Sequence, residues 1–370
     1  MNDKPLPKYL QLKGEILSWL AAGRMKPHER MPSENEISAM FGMSRQTVRQ
    51  ALGELEQEGK LYRKQGRGTF VSEPAAAGGR GAFTVGILTT YISDYIFPHI
   101  VRGAEASLRG RGYRLLLAST DNDKARERER LDEMMREPLS GLIIEPTKSA
   151  EGNPNLDRYL SLDYRNIPYL MINERYPEMT CPCLKSDDEG GGFAAASHLI
   201  GLGHTRIAGF FKTDDLQGVN RLKGFVRGHR ENGLPLQPDL VAAYSTEEKN
   251  GKPFELALAL LRREEERRPT AFVCYNDELA VHLLEAVRQT GLRVPEDLSI
   301  VGFDDSPLAT ATEVKLTTLA HPKYRLGEEA AAMLMAMIEN GLPDGDTAGN
   351  AGIRLYPPEL IIRESTRRIP

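Results

Sequence analysis

Residues 44–50 of this 370-residue chain carry a dense set of hydrogen-bonding side chains. Arginine can donate to O6 and N7 of guanine, glutamine can pair with N6 and N7 of adenine, and hydroxyls can bind phosphates or base edges. The side chains of these types are Ser44, Arg45, Gln46, Thr47 and Arg49. Val48, Leu52 and Leu55 recur at helical spacing, so we expect a helix that buries them and exposes the polar groups. The segment predicts a helix that reads the major groove of DNA.

A shorter helix and a turn are expected just before this helix. Ser33 and Glu36 have the spacing of a capping box, which marks a helix start. The residues expected on its buried face are Ile37, Met40 and Phe41. Gly42 is suited to the tight turn, and Gly59 to the end of the second helix, near residue 58. Together these signals predict a helix-turn-helix.

A glycine-containing hairpin is expected next. Residues 61–63 and 69–71 have the composition of short strands, and residues 64–68 form a basic loop between them. Such a wing is suited to phosphates or to the minor groove. Its candidate DNA contacts are Gln65, Gly66 and Arg67. Glu34, just after the capping serine, could serve the helix start or accept a hydrogen bond from cytosine N4.

Charge and cysteine content narrow the class of protein. The chain has 48 Lys and Arg against 52 Asp and Glu, and residues 1–73 hold 12 basic and 9 acidic residues. DNA binding should therefore depend on a focused patch. The three cysteines are too few for a disulfide framework or a zinc site; the Cys181–Cys183 pair suits a loop or strand edge better than a weak metal site. No apolar run reaches membrane length and no signal peptide is recognisable, so we expect a cytoplasmic protein. We also expect no cofactor and no metal.

The domain organisation follows from a change of composition. Residues 1–72 form the predicted winged helix-turn-helix, and residues 73–82, rich in Ala and Gly, form a predicted flexible linker. Residues 83–370 alternate short apolar runs with helical segments, which predicts parallel sheets covered by helices in two doubly wound lobes. The predicted strands are 83–88, 113–118, 141–144, 168–172, 207–211, 271–274 and 299–303. The predicted helices are 99–109, 125–136, 191–202, 222–231, 254–264 and 278–289.

Polar and aromatic side chains follow these predicted strands. Ligands of such sheets bind at the carboxyl ends of the strands. Carboxylates, amides and arginine can hydrogen-bond sugar hydroxyls, while aromatic rings can cover apolar C–H faces, so the set predicts a sugar site. The candidates are Tyr91, Asp94, Phe97, Glu145, Lys148, Asn173, Arg221, Tyr244, Asn276 and Asp304. Individually, Asn276 and Asp304 could instead be helix caps.

Residues 5–73 resemble the winged-helix domain of the gluconate-repressor (GntR) family. The resemblance lies in four ordered motifs: Lys8-Tyr9, residues 32–36 (PSENE), residues 44–49 (SRQTVR) and residues 66–71 (GRGTFV). It implies that Arg45 and Arg49 contact DNA together with the wing tip at Gln65 and Gly66, and we add Lys8 to this set. Some members have arginine where this chain has Asn35.

Residues 83–370 resemble the effector domain of the lactose/galactose-repressor (LacI/GalR) family. The longest shared segments are residues 198–208 (HLIGLGHTRIA), 221–225 (RLKGF) and 294–305 (VPEDLSIVGFDD). The resemblance implies that Phe97, Arg221, Asn276 and Asp304 line a ligand cleft. His321, after the Leu-Thr-Thr strand, is a further candidate.

The pairing of both resemblances implies a sugar-responsive repressor. We expect a homodimer that binds palindromic operator DNA and is released by a small sugar. Segments 88–97 and 145–149 are similar to arabinose-responsive regulators of Gram-positive bacteria, which implies L-arabinose. The alternatives are another sugar, a co-repressor, or a non-catalytic DNA-binding protein without effector. The enzyme motifs GxGxxG after a strand, GxxxxGK[ST], GxSxG and HExxH are absent from the sequence, so we expect no enzyme.

Overall fold

The computed structural model describes residues 7–21, 24–57, 60–64, 68–72, 83–93, 95–340 and 352–369. It divides the chain into two units, Met1–Gly81 and Ala82–Pro370. Several predictions fall outside the described residues. They concern the helix end at Gly59, the wing residues Gln65, Gly66 and Arg67, the linker at 73–82, and Asp94.

The described residues of the first unit form three helices and two paired strands. The elements are α1 (Lys8–Ala21), α2 (Glu34–Phe41), α3 (Arg45–Gln57), β1 (Leu61–Lys64) and β2 (Gly68–Val71). The strands β1 and β2 are antiparallel, with Leu61 opposite Val71. Helix-turn-helix and hairpin are therefore confirmed.

Local contacts explain where α2 begins and ends. Glu36 N donates to Ser33 Oγ at 3.3 Å and Ser33 N donates to Glu36 Oε2 at 2.6 Å, which completes the predicted capping box. Gly42 ends the helix in the left-handed region at φ 61°. The prediction for Met40 is wrong, because its side chain is 57% exposed. In this eight-residue helix Ile37 is buried and the Phe41 ring packs against Trp19, so Met40 points away from the core.

The second unit has two lobes, each built on a six-stranded sheet. Lobe 1 has the strand order β13-β7-β6-β5-β3-β4, and all its pairs are parallel. Its strands are β3 (Thr84–Thr89), β4 (Arg114–Ser119), β5 (Leu139–Ile144), β6 (Tyr169–Ile172), β7 (Cys183–Ser186) and β13 (Ile353–Tyr356). Its helices are α4 (Phe97–Arg109), α5 (Lys124–Met134), α6 (Leu156–Tyr164) and α12 (Lys323–Asn340).

Lobe 2 has the strand order β14-β12-β11-β10-β8-β9, parallel except for the β12–β14 pair. Its strands are β8 (Ile207–Lys212), β9 (Val241–Tyr244), β10 (Ala271–Cys274), β11 (Ser299–Asp304), β12 (Thr317–Ala320) and β14 (Leu360–Ile361). Its helices are α7 (Asp188–Gly201), α8 (Leu216–Glu231), α9 (Lys252–Leu261), α10 (Asp277–Gln289) and α11 (Leu308–Ala311), with a 3₁₀ turn at Pro238–Leu240. The chain crosses between the lobes after β7, after β12 and after β13.

The predicted strands and helices of the second unit are present, with shifts at their ends. Helix α7 begins at Asp188, three residues before the predicted start, because the Asp187 carboxylate caps it by accepting from Gly190 N at 2.8 Å. Helix α8 begins at Leu216, six residues early, because Asp215 caps it by accepting from Gly218 N at 2.7 Å. These early starts place Asp188 and Arg221 inside helices.

Helices α7 and α8 cross in backbone contact because glycines face each other. A Cβ atom on Gly192 would lie 2.0 Å from the Arg221 carbonyl oxygen, and one on Gly224 would lie 1.9 Å from the Glu189 carbonyl oxygen. No side chain fits either position without a shift of the helices. This crossing holds the backbone of Arg221 against the first turn of α7.

Candidate DNA-reading surface and ligand cleft

The polar face of α3 lies on the surface of the first unit. Arg45, Gln46 and Arg49 are exposed, while Val48 on the opposite face is buried. Ser44 Oγ accepts from Thr47 N at 3.2 Å and lies 2.8 Å from Thr47 Oγ1, so both hydroxyls serve the helix start in this structure. Lys8 is exposed at the beginning of α1.

Glu34 joins α3 to the first strand of the wing. Arg49 Nη2 donates to Glu34 Oε2 at 3.0 Å, and Arg63 Nη2 donates to Glu34 Oε1 at 3.3 Å. The hydrogen bond from Arg49 lowers the pKa of Glu34. Arg63 also donates to Glu56 at 3.2 Å. Glu34 is thus engaged with two arginines, and sequence reasoning missed Arg63 because no spacing links it to Glu34.

A cleft of about 310 Å³ lies between the two lobes of the second unit. It is lined at the carboxyl ends of strands from both sheets, where parallel α/β folds bind ligands. The predicted candidates that line it are Tyr91, Phe97, Glu145, Asn173, Arg221, Tyr244, Asn276, Asp304 and His321. Lys148 is outside this lining and instead pairs with Glu247, with 2.5 Å between Nζ and Oε1.

Arg221 is the central charge of the cleft. Its Nε donates to Asp188 Oδ1 at 2.7 Å, its Nη1 to the Tyr275 carbonyl at 2.6 Å, and its Nη2 to Asp304 Oδ1 at 3.2 Å. Its Cζ lies 4.4 Å from the centre of the Phe303 ring. Burial raises the pKa of Asp188 to about 7, and Arg221 opposes that rise. A buried guanidinium held on three sides presents a fixed donor surface to the cleft.

The Asp304 backbone is strained as well as paired. Its φ of 93° is unusual for a residue with a side chain. Lys323 Nζ donates to the Asp304 carbonyl at 2.6 Å and to the Asp305 carbonyl at 2.8 Å, which holds this conformation. In this conformation the Asp304 carboxylate accepts from Arg221 Nη2.

A second chain of hydrogen bonds lies on the lobe 1 side. Glu145 Oε2 accepts from Thr90 N at 2.9 Å and from Thr90 Oγ1 at 2.6 Å, while Glu145 Oε1 accepts from Asn173 Nδ2 at 2.7 Å. Burial raises the pKa of Glu145, and the hydrogen bonds from Thr90 and Asn173 oppose it. Asn173 Oδ1 then faces His321 Nε2 at 3.0 Å.

This chain decides which nitrogen of His321 carries its proton. Because the Asn173 amide group donates to Glu145, its oxygen accepts from His321 Nε2, and Nδ1 is left as an acceptor. His321 Nδ1 is buried and has no hydrogen-bond partner among the described residues, and the same holds for Ser186 Oγ. Both residues line the cleft. Two buried polar atoms without partners at one site favour a ligand with hydroxyl groups.

Sequence reasoning missed a second charged cluster, next to Arg221. Lys212 Nζ donates to Asp215 Oδ2 at 2.9 Å, and the Tyr275 hydroxyl donates to the same oxygen at 2.8 Å. Burial disfavours the charge, yet Asp215 and Asp214 raise the pKa of Lys212 above its ordinary value. Lys212, Asp215 and Tyr275 follow predicted strands, and this position could have marked them as candidates. Asp188 follows none of the predicted strands and lies only near the Gly190-Gly191-Gly192 run.

Aromatic rings and a helix cap complete the cleft. Tyr91 and Phe97 lie 5.9 Å apart between ring centres, and Tyr244 meets Tyr275 edge-on at 6.4 Å. Asn276 Oδ1 accepts from Leu279 N at 2.8 Å and so caps α10 while it lines the cleft. The helix-cap interpretation of Asn276 is therefore confirmed, and its contact with a ligand stays a prediction.

Within the part of the chain that the structure describes, no group of three or more His, Cys, Asp or Glu side chains could hold a metal ion. Among those same residues, no helix is long and apolar enough to cross a lipid bilayer.

Comparison with known proteins agrees with this architecture. Residues 8–71 match the gntR family of bacterial regulatory proteins, and residues 196–366 match the periplasmic binding protein-like domain. The chain is 63% identical to an arabinose metabolism transcriptional repressor of Geobacillus stearothermophilus, over 100% of both chains. It is 45% identical to the arabinose metabolism transcriptional repressor of Halalkalibacterium halodurans, over 97% of this chain and 96% of that one.

A solved structure shares the second unit. It is a LacI family transcriptional regulator from Enterococcus faecium with bound ribose, 26% identical, and the match covers 78% of this chain and 100% of that chain with a TM-score of 0.65. The fold and the cleft thus define a transcriptional regulator with a winged-helix head and a LacI-like ligand-binding body. The chain belongs to the family of transcriptional repressors that combine a gntR-type head with such a body, and it is not an enzyme.

Burial of His321 predicts a pH dependence of stability. Burial lowers the pKa of His321 to about 4 in the folded chain, against about 6.5 when unfolded. Between these values the unfolded state binds the proton and the folded state does not, so stability falls as the pH falls. We expect His321 to account for a loss of about 2 kcal/mol between pH 7.5 and pH 5.

Urea unfolding followed by circular dichroism measures this loss. His321→Gln should reduce the difference in unfolding free energy between pH 7.5 and pH 5 by this amount. Above pH 7.5 the unfolding free energy should change with pH equally in the wild type and in the variant. If the unfolding free energies of the wild type and the variant changed equally with pH over the whole range, the pKa of His321 would be the same in the folded and unfolded chains.

Proposed function

We propose that this repressor binds operator DNA as a homodimer and is released when a small neutral sugar, L-arabinose, binds between the lobes. The observation that carries the proposal is the cleft. It holds a buried arginine whose charge is paired with two carboxylates, two buried polar atoms without hydrogen-bond partners among the described residues, and aromatic rings. L-arabinose is chosen because the two similar repressors are named for arabinose metabolism. The ribose bound to the Enterococcus regulator supports a pentose in this fold.

The size and charge of the cleft support a neutral monosaccharide. About 310 Å³ is at the lower end of the range for small-molecule pockets. The buried cations Lys212 and Arg221 are already paired with carboxylates, which leaves neither free for a phosphate group. Carboxylates accept hydrogen bonds from sugar hydroxyls, and amides can both accept and donate them. An uncharged polyol therefore fits this lining better than an anion.

We assign the ligand contacts by chemistry. Arg221, Asp304 and Glu145 offer charged groups for hydroxyls on opposite sides of the cleft, and His321 Nδ1 offers an acceptor. Phe97 and Tyr244 offer apolar surfaces to the C–H face of the sugar. Asn276 can contribute its amide group while its oxygen caps α10.

The first unit supports DNA recognition through α3 and the wing. Arg45, Gln46 and Arg49 are exposed on one face of α3, which suits contact with base edges. Glu34 ties Arg49 to Arg63 of the wing, so the helix and the wing would approach DNA as one surface. In this arrangement we give Glu34 the role of orienting the arginines, in place of contact with a cytosine.

A homodimer follows from the small reading surface. One short helix per chain is too little for tight specific binding, and dimers place two such helices in successive major grooves of a palindrome. A groove of about 740 Å³ on the far side of α10 is the surface we propose for the second copy. Its lining combines apolar side chains, among them Val281, Leu284, Leu292 and Val314, with the charged side chains of Glu285, Arg288, Arg293, Glu296 and Glu313. Because His282 borders both this groove and the cleft, α10 would couple the ligand to the dimer.

Loss of Arg45 should weaken operator binding. Arg45→Ala should cost about 1–3 kcal/mol in a gel-shift titration on the DNA upstream of this protein's own gene, because a bidentate base contact is lost. Arg24→Ala removes another exposed arginine of the first unit, outside α3, and serves as the matched control. Identical affinities of the Arg45 variant and the wild type would exclude Arg45 from base recognition.

Loss of the Asp304 charge should prevent sugar binding. Asp304→Asn keeps the shape and tolerates positive φ, but it removes one partner of a buried ion pair. Calorimetry with L-arabinose should show an affinity at least about 100-fold lower, or about 3 kcal/mol. The matched control is Asp305→Asn, since Asp305 pairs with Arg363 outside the cleft. Normal sugar binding by the Asp304 variant, with operator affinity unchanged, would contradict the assigned contacts.

The proposed switch makes a reciprocal prediction. If L-arabinose lowers the affinity for operator DNA by some factor, saturating operator must lower the affinity for L-arabinose by the same factor. Titrating the sugar with and without operator measures this directly. Equal sugar affinities would mean that L-arabinose is not an allosteric effector, and tighter sugar binding on DNA would make it a co-repressor.

A further inference from the structure

Polar contacts join the two lobes at the rim of the cleft, outside most of its lining. From lobe 1, Lys148 Nζ lies 2.5 Å from Glu247 Oε1 of lobe 2, and Asn122 Nδ2 donates to Thr246 Oγ1 at 2.7 Å. Lys148, Thr246 and Glu247 do not line the cleft. Asn122 does line the cleft, so the ion pair between Lys148 and Glu247 is the contact whose two residues both lie outside the lining.

Two backbone amides donate hydrogen bonds across the same rim. Leu216 N donates to Ser149 Oγ at 2.9 Å, and Ala150 N donates to the Asp214 carbonyl at 3.3 Å. Leu216 is the first residue of α8, so its amide has no partner within that helix. Both amides are hydrogen-bonded across the rim only while the lobes are together.

Each side of the rim is held by contacts inside its own lobe. In lobe 1, Lys148 N donates to Asn122 Oδ1 at 3.0 Å, and the Tyr176 hydroxyl donates to the Thr147 carbonyl at 2.7 Å. In lobe 2, Thr246 N donates to Asp214 Oδ2 at 2.9 Å. The two sides are therefore formed before they meet, and little further ordering is needed when the lobes close.

We propose that Lys148 and Glu247, supported by Asn122 and Thr246, form a clasp that favours the closed lobes and thereby tunes the affinity for the effector, although neither Lys148 nor Glu247 lines the cleft. This assigns Lys148 to lobe closure and not to ligand contact. The effect on sugar affinity rests on the proposed function, whereas the effect on lobe closure does not. If a ligand binds only when the lobes are closed, its apparent association constant is the intrinsic constant multiplied by the fraction of chains with closed lobes.

The expected size is modest because Glu247 is largely exposed. Its side chain is 64% exposed while that of Lys148 is 17% exposed. Exposed ion pairs of this kind change an equilibrium by about two- to fivefold. The clasp should adjust the closed population and not determine it alone.

Hydrogen exchange of the full-length, unliganded chain tests the clasp. In Lys148→Met and in Glu247→Gln, the protection of the Ala150 and Leu216 amides should fall by about two- to fivefold. Thr246→Val removes the second contact with an isosteric side chain and should act in the same direction. The combined exchange Lys148→Glu with Glu247→Lys should restore protection, because the pair is re-formed with reversed charges.

The matched control is Lys252→Met, which removes a lysine whose partner, Glu248, lies in the same lobe. It should leave both amides protected, and amides within α12 should exchange alike in all variants if every variant is folded. Protection equal to wild type in both single variants would overturn the clasp. L-arabinose affinity should fall by at most the same factor as protection. A wild type that binds no arabinose while the exchange differences persist would refute the proposed function and leave the clasp standing.

Discussion

The second unit depends on one buried cation, the guanidinium of Arg221. A guanidinium withdrawn from water is stable only if acceptors surround it, and removing one partner of such a pair costs about 3–5 kcal/mol. Asp188, Asp304 and the Tyr275 carbonyl supply those acceptors from three separate elements of lobe 2. The glycine-lined crossing of α7 and α8, the cap at Asp187 and the strained backbone of Asp304 all serve to bring them together.

Under the proposed function, the same constraint limits which ligands the cleft can bind. Because the cations of the lining are already paired, binding energy must come from hydroxyl groups that satisfy the remaining acceptors, such as His321 Nδ1. A ligand that bridges both lobes then adds to contacts that the lobes already make at the rim. Under the two proposals, lobe closure and ligand recognition are coupled, with the clasp at the rim of the cleft and Arg221 within it.

In the first unit, too, one charged residue holds partners from separate elements, but these ion pairs lie at the surface. Glu34 pairs with Arg49 of α3 and with Arg63 of β1 through one carboxylate. Exposed pairs of this kind are weak, so they can be exchanged for DNA phosphates or bases at small cost. Weak pairing keeps these arginines oriented while leaving them available.

Short-range signals in the sequence determined the elements and the edge of the sheet at which the site lies. The capping box at Ser33 and the apolar runs of the strands act within a few residues, and parallel strands must bring their polar ends to one edge. Only the tertiary structure decided the pairing. Asp188 pairs with Arg221, which is 33 positions away in the sequence. Lys148 lies outside the cleft lining and pairs with Glu247, which is 99 positions away. No periodicity encodes such pairs, because packing of the whole chain determines which loops meet.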